Sequence, residues 1–306
     1  MTFPLADPAD LATPVGTARV LRAFGVRPRK RYGQHFLVSR RVLDRLLTEA
    51  APVPDDLLLE VGAGLGTLTV ALAAIGAPVV AVEVDERLMP ILRAATAGSP
   101  RVRLVHGDVM ALDLISVTMG RPAVKLVANL PYNIASPLLV HALETLPTLT
   151  RAVVTVQAEV ADRIEARPGS KEYGALSVAV QFRADARKVL RVPPGAFFPP
   201  PEVESAVLRL DVLPAPRVRV ADEAVFFAAV RAAFGQRRKM LRSALRAVRP
   251  GLTPAQVTAA CARARIDPRR RGETLSLEEF GALADALTVS IADNELGGGG
   301  APSRGG

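Results

Sequence analysis

Short apolar runs that alternate with helix-length segments constrain the fold of this chain more than any other feature of its sequence. Five such runs follow one another, at residues 57–61, 79–84, 102–105, 125–128 and 152–157. This alternation is typical of βαβ units, whose parallel strands form a sheet covered by helices on both faces. The sequence therefore predicts an α/β fold, with an antiparallel edge among the later apolar stretches at 175–182, 189–192 and 205–210.

Changes in composition along the 306 residues predict where this fold begins and ends. The first stretch is rich in Pro and Arg and has no regular apolar period. Pro214 and Pro216 precede an Ala- and Arg-rich stretch with helical periodicity, and the last residues are mostly Gly. We therefore predict a basic N-terminal arm at 1–31, an α/β domain at 32–215, a small all-helical domain at 216–290 and a disordered tail at 291–306.

The charge balance and the single cysteine limit the partners of this protein. There are 39 Lys and Arg against 30 Asp and Glu, so the formal net charge is +9, which favours a polyanionic partner. Cys261 has no second cysteine for a disulfide, and no Cys/His cluster has the spacing of a metal site, so we predict no metal. Because the sequence contains neither a signal-like start nor an uninterrupted apolar span, we expect a cytoplasmic protein that does not enter a membrane.

A glycine-rich loop follows the first apolar run, with the sequence Glu60-Val-Gly-Ala-Gly-Leu-Gly66. Gly62 and Gly64 allow the backbone to turn sharply and to approach a ligand closely. Glu83, at the end of the second run, is placed to accept hydrogen bonds from ribose hydroxyls, and Asp108, after the third, to accept from an adenine amino group. These three strand ends predict a nucleoside site, although a tight turn with solvated or helix-capping carboxylates is the alternative interpretation.

The fourth run ends in the tetrapeptide Asn129-Leu-Pro-Tyr132, which is more specific than the glycines. Pro131 fixes the backbone, the Asn129 amide oxygen and the Leu130 carbonyl are acceptors, and Tyr132 offers a flat face. Two acceptors that grip the hydrogens of an aromatic amine leave its nitrogen lone pair free for a methyl donor. The tetrapeptide therefore predicts methyl transfer to an amino group, with a rigid turn and a capping Asn as the alternative.

Two clusters of cations predict contacts with phosphate. Arg27, Arg29, Lys30 and Arg31 precede the α/β domain, and residues 236–249 contain six cations and no acid. Within the second cluster, Arg238 and Arg242 begin a series at helical spacing that is expected to lie on one helix face. A solvated basic face is the alternative to phosphate binding.

Together these motifs resemble the small-subunit (16S-type) ribosomal RNA adenine dimethyltransferases, the kasugamycin-sensitivity methylases. The resemblance runs from about residue 29 to about residue 287. It is carried by the glycine loop, by the strand-end residues already described, and by three further segments at 29–37, 192–207 and 234–245.

The resemblance implies a Rossmann-like S-adenosylmethionine-dependent methyltransferase sheet with a small C-terminal all-helical domain. It implies a monomeric enzyme that dimethylates N6 of two adjacent adenosines near the 3′ end of small-subunit rRNA, with the rRNA or the pre-30S subunit as its partner. The residues implied to hold the donor are His35, Leu37, Gly62, Gly64, Glu83, Asp108 and Asn129, and those implied to bind RNA are Arg29, Lys30, Arg31, Arg237, Arg238, Lys239 and Arg242.

Tyr132 and Phe197 are implied to sandwich the target base. Two positions depart from the family pattern: His35 stands where Asn is common, and Phe198 where a small polar residue is common. Which phenylalanine stacks on the base therefore stays open.

Two other functions remain alternatives: a large-subunit rRNA methyltransferase of the macrolide-resistance type, and a ribosome-assembly factor that uses the fold mainly to bind RNA. The basic segment at 236–239 and the Phe-Phe-Pro-Pro-Pro loop at 197–201 favour the small-subunit enzyme.

Overall fold

The computed structural model describes residues 8–236, 238–250 and 252–297. These residues form two compact units. The first is the chain up to Glu165 together with Ala184–Pro214, and the second is Ala166–Arg183 together with the chain from Ala215 onward. No helix in these ranges is long and apolar enough to cross a membrane.

The first unit is built on a seven-stranded sheet, which confirms the predicted α/β fold. Its strands are β2 (Leu57–Val61), β3 (Val79–Glu83), β4 (Val102–His106), β5 (Val124–Asn129), β6 (Leu149–Gln157), β7 (Ala184–Val192) and β9 (Ser205–Val212). They lie in the order β4-β3-β2-β5-β6-β9-β7, in which β2 to β6 are parallel while β9 runs antiparallel to β6 and β7. The two remaining strands, β1 (Phe36–Leu37) and β8 (Phe197–Phe198), form a separate antiparallel pair.

Seven α-helices accompany this sheet in the described part of the first unit. They are α1 (Pro14–Ala23), α2 (Arg40–Ala50), α3 (Thr67–Ala73), α4 (Met89–Ala95), α5 (Leu114–Val117), α6 (Ala135–Thr145) and α7 (Ala158–Glu165). Strands β2 and β3 are buried along their whole length, as expected for strands covered on both faces. Because parallel strands end at the same edge, the turns after β2, β3, β4 and β5 come together there.

The predicted N-terminal arm is partly folded. Thr13 caps α1 by accepting a hydrogen bond from the backbone N–H of Gly16, and Pro14 occupies the first helical position. Val20 and Leu21 are buried in one apolar cluster with Phe36. The helix escaped prediction because small residues, Gly and Thr, occupy two of its buried positions and weaken the apolar period.

The second unit is helical, with α8 (Ala175–Gln181), α9 (Glu223–Gly235), α10 (Leu241–Ala244), α11 (Pro254–Arg263) and α12 (Leu277–Gly297). Its start differs from the predicted boundary, because 166–183 belongs to it and not to the α/β unit. Phe182 explains the difference: its ring stacks on Phe226 with centroids 4.7 Å apart, inside the helical core. The stretch at 175–182 accordingly forms helix α8 and its C-cap, and not an edge strand.

Two other predictions for this unit need correction. Helix α12 continues to Gly297, seven residues past the predicted domain end, and 298–306 lie outside the described residues. The basic segment is not one helix: α9 ends at Gly235, Arg238 lies in a turn, and Arg242 is in α10. Arg237 lies outside the described residues.

Candidate active site

A cavity of about 290 Å³ opens at the edge where the parallel strands end. The turns after β2, β3, β4 and β5 line it, together with the segment that leads into β1. Most of the residues singled out from the sequence are among its walls: Arg31, His35, Gly62, Gly64, Glu83, Asp108, Asn129, Leu130, Pro131 and Tyr132. The cavity is therefore the place where the predicted donor and acceptor residues meet.

The glycine loop packs closely against two other residues that line the cavity, Pro131 and Phe36. Gly62 and Gly64 have φ angles of +74° and +61°. Residues with a side chain are strained in this left-handed region of backbone conformation, whereas glycine is not. A Cβ on Gly62 would lie 3.0 Å from the Pro131 ring, and one on Gly64 would lie 3.2 Å from the Phe36 ring. A side chain at either position would therefore force the neighbouring ring to shift by a few tenths of an ångström.

Glu83 organises the edge of the cavity nearest this loop. Its carboxylate accepts hydrogen bonds from the backbone N–H groups of Gly64 and Asp85, each at 2.8 Å. Burial raises the pKa of Glu83 although these bonds oppose the effect. Each oxygen keeps a second lone pair for a ligand hydroxyl. Asp108 is exposed, and its Oδ1 accepts a hydrogen bond from the Met110 N–H. One carboxylate oxygen therefore caps the turn, while the other can accept from a ligand.

Glu60 precedes the loop and does not line the cavity. It is 2% exposed, and burial raises its pKa to about 8, with the nearby Glu83 carboxylate adding to the shift. Burial therefore favours the protonated, neutral form of Glu60, which lowers the negative charge of the segment Glu60–Gly66.

Asn129 ends β5 with its side-chain amide fixed in one orientation. Its Nδ2 donates to the main-chain carbonyl of His35 at 2.9 Å. Its Oδ1 is buried and has no hydrogen-bond partner within the described residues. A buried acceptor without a partner costs free energy that a ligand N–H group would recover. The orientation of the Asn129 amide is assigned from the hydrogen bond to His35 and leaves Oδ1, an acceptor, as the free group.

Tyr132 is held from two sides. Its hydroxyl hydrogen-bonds with Ser205 on β9, and its ring stacks with His35 at a centroid distance of 5.3 Å and an angle of 25°. Burial raises the pKa of the Tyr132 phenol, which keeps the hydroxyl neutral. The tyrosine ring is thus a fixed, uncharged wall.

Two residues that were predicted to hold the donor or the target base do not line the cavity. Leu37 and Phe197 pair across β1 and β8, and each is only 3% exposed. Both belong to an apolar core cluster. Phe198 is half-buried and packs in a different cluster, with Phe36. Of the aromatic side chains implied to stack on a base, the structure brings only Tyr132 to the cavity.

Sequence reasoning missed the residues that hold the segment before β1 in place. Gln34 accepts from the Arg29 N–H at 2.8 Å and donates to Asp85 at 2.9 Å. Burial alone would raise the pKa of Asp85, but hydrogen bonds from Arg87 and Gln34 outweigh it and lower that pKa. Gln34 and Asp85 are 51 positions apart, so no local sequence pattern signals the contact.

The fold and the site together define a class of protein. The protein is an α/β protein with a nucleoside-type binding site at the carboxyl ends of its parallel strands. The glycine loop, the strand-end carboxylates and the free amide acceptor of that site surround one cavity.

Comparison with known proteins identifies the family within that class. The model of the ribosomal RNA adenine dimethylase family matches residues 25–288, and the chain belongs to this family. It is 46% identical over 269 residues to the ribosomal RNA small subunit methyltransferase A of Geobacter metallireducens. The match covers 87% of this chain and 98% of that relative. The resemblance predicted from the motifs is thereby confirmed.

Two solved structures share the fold. A dimethyladenosine transferase from Plasmodium falciparum is 22% identical with a TM-score of 0.68, covering 83% of this chain and 98% of its own. The 23S rRNA methyltransferase ErmE is 27% identical with a TM-score of 0.61, covering 82% and 99%. Because one of these structures is named for 23S rRNA while the Geobacter relative is named for the small subunit, the fold alone does not select the RNA.

Proposed function

We propose that this protein transfers methyl groups from S-adenosylmethionine to N6 of two adjacent adenosines near the 3′ end of small-subunit rRNA, dimethylating each. Family membership supports the chemistry. The near full-length match to relatives named for the small subunit supports the substrate. We further propose that it acts in the cytoplasm, as a monomer, on the pre-30S subunit.

The cavity fits the proposed donor. Two glycines leave a cradle that a Cβ would fill, and Glu83 and Asp108 keep acceptor lone pairs at its rim. Glu83 would hold the ribose hydroxyls and Asp108 the adenine amino group, with apolar contact from Val84 and Leu88. When bound, S-adenosylmethionine supplies a methyl group activated by its sulfonium.

The single observation that carries the proposal is the unpartnered Oδ1 of Asn129. We propose that this oxygen and the Leu130 carbonyl accept the two N6 hydrogens of the target adenine. Holding them favours a pyramidal nitrogen whose lone pair is localised and points at the methyl group. The alkylated nitrogen is acidic enough to release its proton without a strong base, so alignment supplies most of the catalysis.

Tyr132 would support the target base from one face. Stacking on an aromatic ring contributes about 1–3 kcal/mol per base, which offsets part of the cost of unstacking the adenosine from its RNA. We do not assign the opposite face to Phe197, because that side chain is buried in the core.

Exposed cations in each unit are available to bind RNA. Arg31 lines the cavity, and Arg238, Lys239 and Arg242 are exposed on the helical unit. We propose that these side chains contact phosphates, together with Arg29 and Lys30 in the first cluster.

The test is to map methyl groups transferred from a labelled donor. Undermethylated small subunits, naked small-subunit rRNA and large subunits would be incubated separately with the protein. We expect label on N6 of two adjacent adenosines in the small subunit. Label confined to large-subunit RNA, or no transfer to any of the three, would contradict the proposal.

Asn129→Ala provides the link from site to activity. It should abolish transfer while binding of small subunits stays largely intact, because the phosphate-binding cations are untouched. Thr145→Ala, an exposed change at the end of α6, is the matched control and should transfer normally. A fully active Asn129→Ala protein would refute the role of Oδ1.

A further inference from the structure

His35 makes three contacts that converge on the acceptor side of the cavity. Its main-chain carbonyl accepts from Asn129 Nδ2 at 2.9 Å, and its ring stacks on Tyr132. Its Nδ1 lies 2.7 Å from the main-chain carbonyl oxygen of Pro199, which follows β8. One residue thus joins segments 94 and 164 positions away in sequence.

The Pro199 contact fixes which ring nitrogen of His35 carries hydrogen. A carbonyl oxygen only accepts, so Nδ1 must donate. The neutral ring is therefore the Nδ1–H tautomer.

The two kinds of contact act on different parts of the acceptor site. The main-chain contact orients the Asn129 amide so that Oδ1 is the free acceptor. The side-chain contacts set the plane of Tyr132 and tie it to the proline-rich loop through Pro199. Removing the His35 side chain would leave the first contact and abolish the other two.

We propose that His35 is a positioning residue for the acceptor base: its imidazole fixes Tyr132 and the Pro199 loop around the base, while its carbonyl aims Asn129. This inference rests on the proposed methyl transfer, and it assigns the His35 side chain to the acceptor and not to the donor. A misplaced reacting group lowers the rate of the chemical step even when both substrates still bind.

The first test needs no activity. The chain has only three histidines, so ¹⁵N NMR of histidine-labelled protein gives three resolvable sets of ring signals. At alkaline pH we expect the His35 set, identified by its loss in His35→Asn, to show a protonated Nδ1. An Nε2–H tautomer would place a lone pair against the Pro199 carbonyl and would overturn the inference.

The second test separates positioning from donor binding. His35→Ala should lower kcat on the order of ten- to a hundredfold, while KM for S-adenosylmethionine changes less than about threefold. His35→Asn keeps a donor for Pro199 and His35→Phe keeps an aromatic face, so each should recover part of kcat. If the alanine variant does not fold, the His35→Asn and His35→Phe variants provide the same test.

An unchanged kcat in His35→Ala would refute the inference, and so would a rise in the KM for S-adenosylmethionine that is as large as the fall in kcat. Failure of the proposed function looks different. The unmodified protein would then not methylate small subunits at all, whereas the NMR result would still decide the Pro199 contact.

Discussion

Gly62 and Pro131, which both line the cavity, lie so close together that a Cβ on the glycine would be 3.0 Å from Cδ and 3.1 Å from Cγ of the proline. The glycine belongs to the loop after β2 and the proline to the turn after β5. This contact sets the distance between the proposed donor-binding wall and the turn that presents Asn129.

Gly62→Ala is therefore expected to impair the enzyme by two routes. A non-glycine residue at a φ of +74° costs about 1–2 kcal/mol of stability, and the added methyl group must displace Pro131. We expect donor affinity and turnover both to fall by at least about tenfold, measured by calorimetric titration and by methyl transfer.

Gly76→Ala separates these two routes. Gly76 has a φ of +87° but no atom within 4 Å of the position that a Cβ would take. It should lose comparable stability in a thermal melt and keep its donor affinity. Equal loss of donor affinity in both variants would contradict the steric part of the argument.

Glu60 makes stability depend on pH in a direction opposite to that of most carboxylates. From pH 4.5 to about 8 the unfolded chain has released a proton that the folded chain still holds on Glu60. Folding stability is therefore lost as pH rises through this window, by on the order of a few kcal/mol.

Glu60→Gln should reduce that loss. We expect its urea midpoint to fall less between pH 5 and pH 8 than that of the unmodified protein, because glutamine has no proton to release. Glu86→Gln, an exposed change on the neighbouring turn, controls for removing a carboxylate. Identical pH slopes in the unmodified and Glu60→Gln proteins would show that Glu60 is ionised when buried.

The positions of the strands and most of the site could be predicted because both depend on local pattern. Apolar runs such as Val79–Glu83 specify buried parallel strands, and parallel strands bring their carboxyl ends to one edge whatever the loops between them. The proximity of Glu83, Asp108 and Asn129 follows from that rule alone.

What escaped prediction depends on contacts between distant segments. The Gln34–Asp85 hydrogen bond and the stacking of His35 on Tyr132 depend on how the chain before β1 folds back, which no periodicity encodes. The motif around Phe197 indicates a stacking residue, but a motif does not reveal that this side chain turns into the core. The spacing of Arg238 indicates a helix, but a spacing of three to four residues also occurs by chance in a turn.

The hydroxyl pair of Tyr132 and Ser205 should stabilise the fold without being needed for chemistry. Ser205 is fully buried, so Tyr132→Phe leaves its hydroxyl without this partner and should cost about 1–3 kcal/mol in chemical denaturation. The aromatic face remains, so turnover should fall far less than in Tyr132→Ala. The double variant Tyr132→Phe/Ser205→Ala should lose less unfolding free energy than the sum of the losses in the two single variants. Strict additivity would contradict the pairing.

Binding of phosphate by the basic segment can be measured through salt. Arg238 and Arg242 are exposed, and each arginine that binds a phosphate releases a counterion, so replacing one of them by alanine should weaken small-subunit binding. The slope of log K against log salt concentration should become shallower by about one for each arginine replaced. Arg219→Ala removes an exposed arginine of the same unit outside this segment and should leave the slope unchanged. If Arg238→Ala and Arg242→Ala bind with the unmodified slope, these arginines form a solvated surface, and other cations must bind the RNA.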